Sequence, residues 1–353
     1  MAKVKIFFSI LVIFTVSIFA QMSYENWELF KEVYSLVKNT YIDEKSSDQI
    51  IVGALKGLAN ATGAESGYIP KEKVEEFEKI ANLNYQIPFY ITKDEGFARI
   101  MSVFGENGTG VEPGDYLRII DGNSAFDMSY PDLQRMIKSD EEKEFKCEFL
   151  KKGTLKKYAK TIKSVKYEEP KLFTLPKNQK VLQIRCLESD ISPKLKEELE
   201  KTTSPIIVDL RNCASDNIEK TLKWCGFLFG KGEVKCSAKG GYRSLQFEGE
   251  GVLSSKKCAL LVDKTTARGG EILSMVGSAK FSLIGENTFG FASQHEKLIL
   301  KNGDALVILI GYFLNKNGEE VKEKPLKPDF VIDKMDEKNS EKIYSEVVEK
   351  LSF

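Results

Sequence analysis

Cys258–Leu273, CALLVDKTTARGGEIL, joins an unbroken apolar run to a helical pattern that continues through SMVGSA. Five apolar residues with no polar alternation describe a strand covered on both faces, which is characteristic of parallel sheets with helices above and below. The chain beyond Pro170 repeats that arrangement. KVLQIRCL, PIIVDLRN and KFSLIGE are further apolar strands. Between them lie IEKTLKWCGFLF and SPKLKEELEKT, the latter with Ser192 as N-cap and Pro193 in the first turn. Alternating strand and helix predicts an α/β core with a mostly parallel sheet over residues 167–353. Ligands of such sheets gather at strand C-terminal ends, where DLRNCASD and VDKTTARGGE both emerge. The Lys/Glu-rich tail is expected to be a solvated helix face.

Upstream, three other regions are expected. Residues 1–20, MAKVKIFFSILVIFTVSIFA, carry two lysines and then an apolar run too short for a comfortable membrane span of about 20 residues, so they read as a signal peptide. Ile18 is large for the position before a cleavage site after Ala20, which leaves an uncleaved anchor over residues 4–20 as the alternative; either way the body is exported, to the periplasm or the cell exterior. Residues 21–83 hold three helical patterns, the first with Trp27, Phe30, Val33, Tyr34, Val37 and Tyr41 at helical spacing. Residues 84–166 turn to short strands broken by EPGD and DG turns, with one helix at YPDLQRMIK, and predict a β-barrel-like, PDZ-like module.

Composition narrows the chemistry. The 353 residues are 42% hydrophobic, with 52 Lys+Arg balanced by 52 Asp+Glu, so no basic field gathers nucleic acid. Six cysteines without a C-x-x-C pair argue against zinc and against a dense disulfide framework, and no metal or cofactor is expected. Any mechanism that pairs histidine with serine or cysteine depends on the one histidine, His295.

In that order the segments resemble the C-terminal processing peptidases, also called tail-specific proteases. The stretch from LFKEVYSLV to VEEF is similar to the family's N-terminal helices and its Leu-Asp-Pro-His-Ser-x-Tyr-Leu motif, altered here to TGAESGYI. GTGVEPGDYLRIIDG resembles the family's PDZ segment Ala-Gly-Leu-x-x-Gly-Asp-x-Ile-x-x-Ile-Asp-Gly, and PIIVDLRNCASD its Ile-x-Asp-Leu-Arg-Asn-Asn-Pro-Gly-Gly strand and loop. CALLVDKTTARGGEIL is similar to the nucleophile segment; LIGENTFGF, LKNGDALVI and PLKPDFVI are similar to the closing motifs. The resemblance spans the chain after residue 20 and implies an α/β core of the tail-specific protease (crotonase-like) type, a PDZ-like module and N-terminal helices.

It also implies peptide-bond cleavage by a serine activated by lysine, which needs a hydroxyl at a helix start, a lysine within reach and backbone N–H groups aimed at the oxyanion. All three corners depart from that pattern. Anchoring on Ala267 and Glu271 places Arg268 at the nucleophile, and Gly269 and Gly270 beside it bring no hydroxyl. Phe291 stands where the lysine follows Thr-Phe-Gly, and Ser215 and Asp216 replace the oxyanion-loop glycines. Arg268 at a helix N-terminus opposes the helix dipole and calls for a partner, for which Asp216 is the expected carboxylate; a ligand carboxylate and plain solvent are the alternatives. Relocated catalytic candidates are Thr265 and Thr266, more simply read as N-caps, and the Ser293/His295 pair. In the PDZ-like module a peptide would add beside Tyr85, Ile87 and Phe89, although Pro88 removes one donor. The expectation is an exported, catalytically inactive relative that binds polypeptides or peptide C-termini, or a subunit that pairs with an active paralogue or with itself. The competing expectation is an active serine-type endopeptidase with a relocated nucleophile.

Overall fold

The computed structural model describes residues 23–63, 65–104, 109–176, 178–332, 335 and 339–351. The expected signal or anchor segment at 1–20 lies outside the described residues. Among those residues no helix is long and apolar enough to cross a membrane. The chain divides into two compact units, residues 1–54 and 55–353. Helix α1 (Tyr24–Thr40) starts on Ser23, whose Oγ accepts from the Asn26 N–H at 3.2 Å, and it buries none of its residues; α2 is Ser47–Ala61.

Within residues 55–353, Glu65 lies just ahead of β1 (Gly67–Ile69), which is followed by α3 (Lys71–Lys79). Strand β1 is pinned by its pairing with a long hairpin of the core, described below. Gly67 approaches the β module closely: a Cβ there would stand 2.5 Å from Pro131 Cδ.

In that module Pro88 divides the expected strand YQIPFYI into β2 (Tyr85–Gln86) and β3 (Phe89–Asp94), because proline supplies no N–H to a ladder. Strand β2 lies between β7 (Lys138–Ser139) and β10 (Val165–Lys166). The main antiparallel sheet runs β3, β4 (Phe97–Val103), β5 (Tyr116–Ile120), β8 (Glu144–Leu150), β9 (Lys157–Lys163), with β6 (Asn123–Ser124) on β5. The expected barrel-like module is therefore two open sheets among the described residues. Helix α4 (Tyr130–Met136) starts on Ser129, whose Oγ accepts from the Asp132 N–H at 3.3 Å.

The core sheet runs β11 (Lys171–Thr174), β12 (Lys180–Gln183), β13 (Ile206–Asp209), β16 (Cys258–Val262), β17 (Ser282–Gly285), β20 (Phe330–Val331). Only the β11/β12 pairing is antiparallel, so the sheet is mixed through one edge. Alternate residues separate its faces. Leu182, Val208 and Leu260 pack with α5 (Pro193–Lys201), α6 (Ile218–Phe229) and α7 (Gly269–Gly277), while Val181, Ile207 and Leu261 pack with Ile343, Tyr344 and Val347 of α8 (Ser340–Leu351). The tail helix thus covers the sheet, which the run of Lys and Glu around those three apolar positions conceals. A hairpin, β14 (Gly232–Ala238) and β15 (Gly241–Phe247), and the pair β18 (Ser293–Ile299) and β19 (Ala305–Tyr312) complete the core, and β19 is the strand that holds β1. All six cysteines are buried thiols, none in a disulfide.

Candidate functional site

The segment between β16 and α7 is a sharp strand-to-helix turn that ends on Arg268 as N-cap, with φ 48° and ψ −115°. A side-chain-bearing residue rarely adopts a positive φ, and the conformation costs roughly 1–3 kcal/mol. Neighbouring chain holds it there: the Arg268 N–H donates to Phe291 O at 3.2 Å and Ala267 N–H to Cys213 O at 3.0 Å. Turns of this strained kind expose a nucleophile in hydrolases. Here the turn presents a guanidinium to the protein interior.

Arg268 is 3% exposed. It is ion-paired with Glu65; its Nη1 donates to Ser293 Oγ at 2.8 Å, and its Nε lies 2.9 Å from Asp216 Oδ1. The pair expected with Asp216 is present, as an ion pair in which Nε and Asp216 Oδ2 make no hydrogen bond among the described residues. The guanidinium also lies over the rings of Tyr130 and Phe291, with Cζ 5.5 and 5.4 Å from their centres. Burial disfavours the cation, but Glu65, Tyr130 and Asp216 outweigh it and hold the Arg268 pKa above its ordinary value.

Glu65 is the partner that sequence reasoning missed. It occupies the place of the histidine in the motif altered to TGAESGYI, and that exchange was the available signal. Its Oε1 accepts from Thr92 Oγ1 at 2.7 Å, its Oε2 accepts from Ser293 Oγ at 3.0 Å, and His295 Nε2 stands 3.1 Å from Oε2. Burial alone would raise the Glu65 carboxyl; Arg268, His295 and Thr92 more than offset it and hold the group at about 2. Tyr130 OH donates to Asp216 Oδ1 at 3.1 Å, and its ring stacks on His295 at 5.5 Å between centres. Thr92 comes from β3 and Tyr130 from α4, so the cluster ties the β module to the core.

The other expected catalytic positions are occupied by structural contacts. Ser215 Oγ donates to Glu188 Oε1 at 2.7 Å, and the Asp216 N–H donates to the same oxygen at 3.3 Å. Gly269 N–H is taken by Ser215 O at 3.1 Å. These two N–H groups therefore face protein acceptors and not a developing oxyanion. Phe291 packs edge-on against Tyr312 and offers no amine. Thr265 and Thr266 do not cap α7. Thr265 Oγ1 donates to Asp263 Oδ1 at 2.5 Å and Thr266 Oγ1 to Leu210 O at 2.8 Å, because the loop's own polar groups need these hydroxyls. Ser293 and His295 both reach Glu65 and share it as a common partner.

Behind the turn, Glu271 accepts from Thr288 Oγ1 at 2.5 Å, Gly290 N–H at 2.7 Å and Phe291 N–H at 2.8 Å. Burial outweighs these bonds and raises its carboxyl to about 7. In the β module Ile87 and Phe89 are fully buried, with Ile87 N–H donating to Ile137 O at 2.9 Å, and Tyr85 pairs with both Ser139 and Lys166. This conformation leaves a peptide no strand edge at β2, while Phe89 opens β3, an edge strand of the main sheet. No group of three or more His, Cys, Asp or Glu among the described residues is placed to hold a metal ion.

What is left beside the turn is a cavity of about 20 Å³ lined by Ser215, Asp216, Thr221, Arg268, Ser293 and His295. That is room for one water and not for a peptide. Beyond the wall formed by Tyr130, Asp216 and His295 lies an open groove of about 400 Å³.

Residues 183–332 match the model of Peptidase family S41. A probable CtpA-like serine protease of Staphylococcus aureus (strain bovine RF122 / ET3-1) is 21% identical over 330 residues, covering 87% of this chain and 65% of that protein. Its counterpart in strain COL gives the same identity and coverage. The chain thus spans about 65% of the length of the curated relatives it matches. The structure of a photosystem II D1 C-terminal processing protease superposes with a TM-score of 0.64 at 16% identity, over 87% of this chain and 92% of that one.

Proposed function

Because the chain belongs to the C-terminal processing peptidase family, we propose that it is an exported, non-cleaving member that binds polypeptide through a scaffold built for proteolysis. The observation that carries this reading is Arg268: buried at the turn where the family places its serine, it is paired with Glu65 and Asp216. Acyl transfer needs a hydroxyl, a base and free N–H donors around one point. The positions that would supply them hold a guanidinium, a phenyl ring and engaged amides. The β module is read as PDZ-like and residues 1–20 as the export signal or anchor.

The test is incubation of the protein with an unfolded polypeptide bearing an apolar tail, followed by intact mass and by co-elution on a sizing column. The reading expects retained, uncut polypeptide, and the same from Arg268→Ser, since Phe291 supplies no base. Cleavage abolished by Ser293→Ala, Thr265→Ala or Thr266→Ala would establish a relocated nucleophile and an active endopeptidase in its place.

A further inference from the structure

The groove outside the Tyr130 wall has features that the refilled pocket does not explain. Its apolar sides are Phe77, Ile80, Pro131, Ile218 and Val307. Several polar side chains interrupt them, Gln134 and Asp216 among them. Gln134, 6% exposed, has its Nε2 buried with no hydrogen-bond partner among the described residues. An unpaired buried amide costs about 1–3 kcal/mol, so turning the Gln134 side chain outward to meet an acceptor in the groove it lines would be favoured. Asp216 is the second: it lines the groove as well as the cavity, and its buried Oδ2 accepts no hydrogen bond among the described residues.

The charges around Asp216 are unbalanced. Glu65 and Asp216 are two carboxylates facing the single guanidinium of Arg268; Glu65 takes the closer contact and also has His295 Nε2 at 3.1 Å, which leaves Asp216 the less neutralised of the two. Glu219 adds a further carboxylate at the groove and Lys138 one ammonium. An incoming peptide C-terminus would meet Asp216 and Glu219 and be repelled; an incoming cation would be attracted.

We propose that this groove takes an internal stretch of polypeptide in which a lysine or arginine lies between apolar residues, the cation bonding to Asp216, a backbone carbonyl accepting from Gln134, and the flanking side chains covering Ile80, Ile218 and Val307. The proposal rests on the polypeptide-binding reading and names its site and substrate class. It also predicts that a free C-terminal carboxylate is dispensable, which capture of a tail by a PDZ-like strand would not allow.

The probe is a short fluorescent peptide with both termini blocked, carrying lysine, norleucine or glutamate between leucines, titrated by anisotropy against the full chain. Lysine is expected to bind roughly tenfold tighter than norleucine, the contribution of one charge-assisted hydrogen bond, and glutamate more weakly still. Asp216→Asn should erase the preference for lysine. Ala81→Trp, which fills the groove from its exposed lip, should abolish binding while leaving the thermal midpoint unchanged. Equal affinity for the lysine and glutamate peptides on the native protein, or full binding by Ala81→Trp, overturns the proposal. A carboxymethylated unfolded chain is titrated alongside. If it is retained while the blocked lysine peptide is not, the groove assignment falls and polypeptide binding stands; if it is not retained either, the binding reading itself falls.

Discussion

Two of the buried ion clusters among the described residues of 55–353 are built in opposite ways. At the C-terminal end of β13, Asp209 faces two guanidiniums: its Oδ2 is 2.7 Å from Arg211 Nη2 and 2.9 Å from Arg185 Nη2, and it accepts from Tyr344 OH at 2.8 Å. At the turn before α7 one guanidinium, Arg268, faces two carboxylates. The charges of the first cluster are nearly local, since Arg211 is two residues from Asp209 and Arg185 follows the neighbouring strand, with Tyr344 of α8 closing over them. The second draws Glu65, Thr92, Tyr130, Asp216, and the Ser293 and His295 of one strand from five separate places along the chain. A local cluster shapes the core that contains it. A dispersed one holds parts of the molecule to each other, and here it does so at the strand-to-helix turn before α7.

The comparison predicts different failures. Asp209→Ala leaves two buried guanidiniums without their carboxylate and is expected to cost the most, about 3–5 kcal/mol, as a single cooperative loss in urea unfolding. Loss of less than 1 kcal/mol would show that water reaches the cluster and that its burial is nominal. Arg268→Ala strands Glu65 and Asp216 and is expected to cost about 3 kcal/mol, with a different signature. Amide exchange should quicken first in β3 and α4, which the cluster ties down, and last in β13 and β16. Uniform acceleration would mean that Arg268 acts on the core as Asp209 does. Arg268→Gly should be milder than Arg268→Ala by about 1 kcal/mol, because glycine accepts φ 48° without strain.

The two clusters also differ in how far the sequence reveals them. DLRN places Asp209 and Arg211 within one turn of chain, and the apolar strands around them are legible as five-residue runs with capped helices between. The pairing of Arg268 with Asp216 is legible too, because a cation at a helix N-terminus calls for a carboxylate and Asp216 lies on the neighbouring strand-end loop. Glu65 is not: it lies 203 residues from Arg268, just ahead of a three-residue strand too short to show a period. The tail helix hides for another reason, since Ile343, Tyr344 and Val347 are few among many lysines and glutamates. Pro88 is visible in YQIPFYI, yet only tertiary pairing reveals that it makes two strands in different sheets.

Titration separates the turn's two carboxylates by sign. Glu65 is lowered from 4.5 to about 2, so its contribution to stability is present above 4.5 and is lost as pH falls through about 2. Glu271 is raised from 4.5 to about 7, so its contribution is present below 4.5 and is lost as pH rises through about 7. Urea midpoints measured across that range should therefore decline between pH 4.5 and 7 in the native chain and flatten in Glu271→Gln. Glu65→Gln should instead flatten the acid limb and leave the neutral one unchanged. A native chain whose stability rises through the neutral range would contradict the burial assigned to Glu271.

The smallest expected effect isolates what the dispersed cluster owes to hydrogen bonds as opposed to charge. Ser293 Oγ accepts from Arg268 and donates to Glu65, so it bridges the ion pair without carrying charge. Ser293→Ala removes both bonds yet leaves the guanidinium and both carboxylates in place, and the loss should be roughly 1 kcal/mol. The same substitution in an Arg268→Met background should cost much less, because one of the two bonded partners is already gone and Glu65 can relax toward His295. If the two losses add in full, Ser293 acts independently of the ion pair, and the cluster is a set of separate contacts sharing one pocket. If they do not, the turn that would carry a nucleophile holds one cooperative unit, and charge, hydroxyl and backbone strain there stand or fall together.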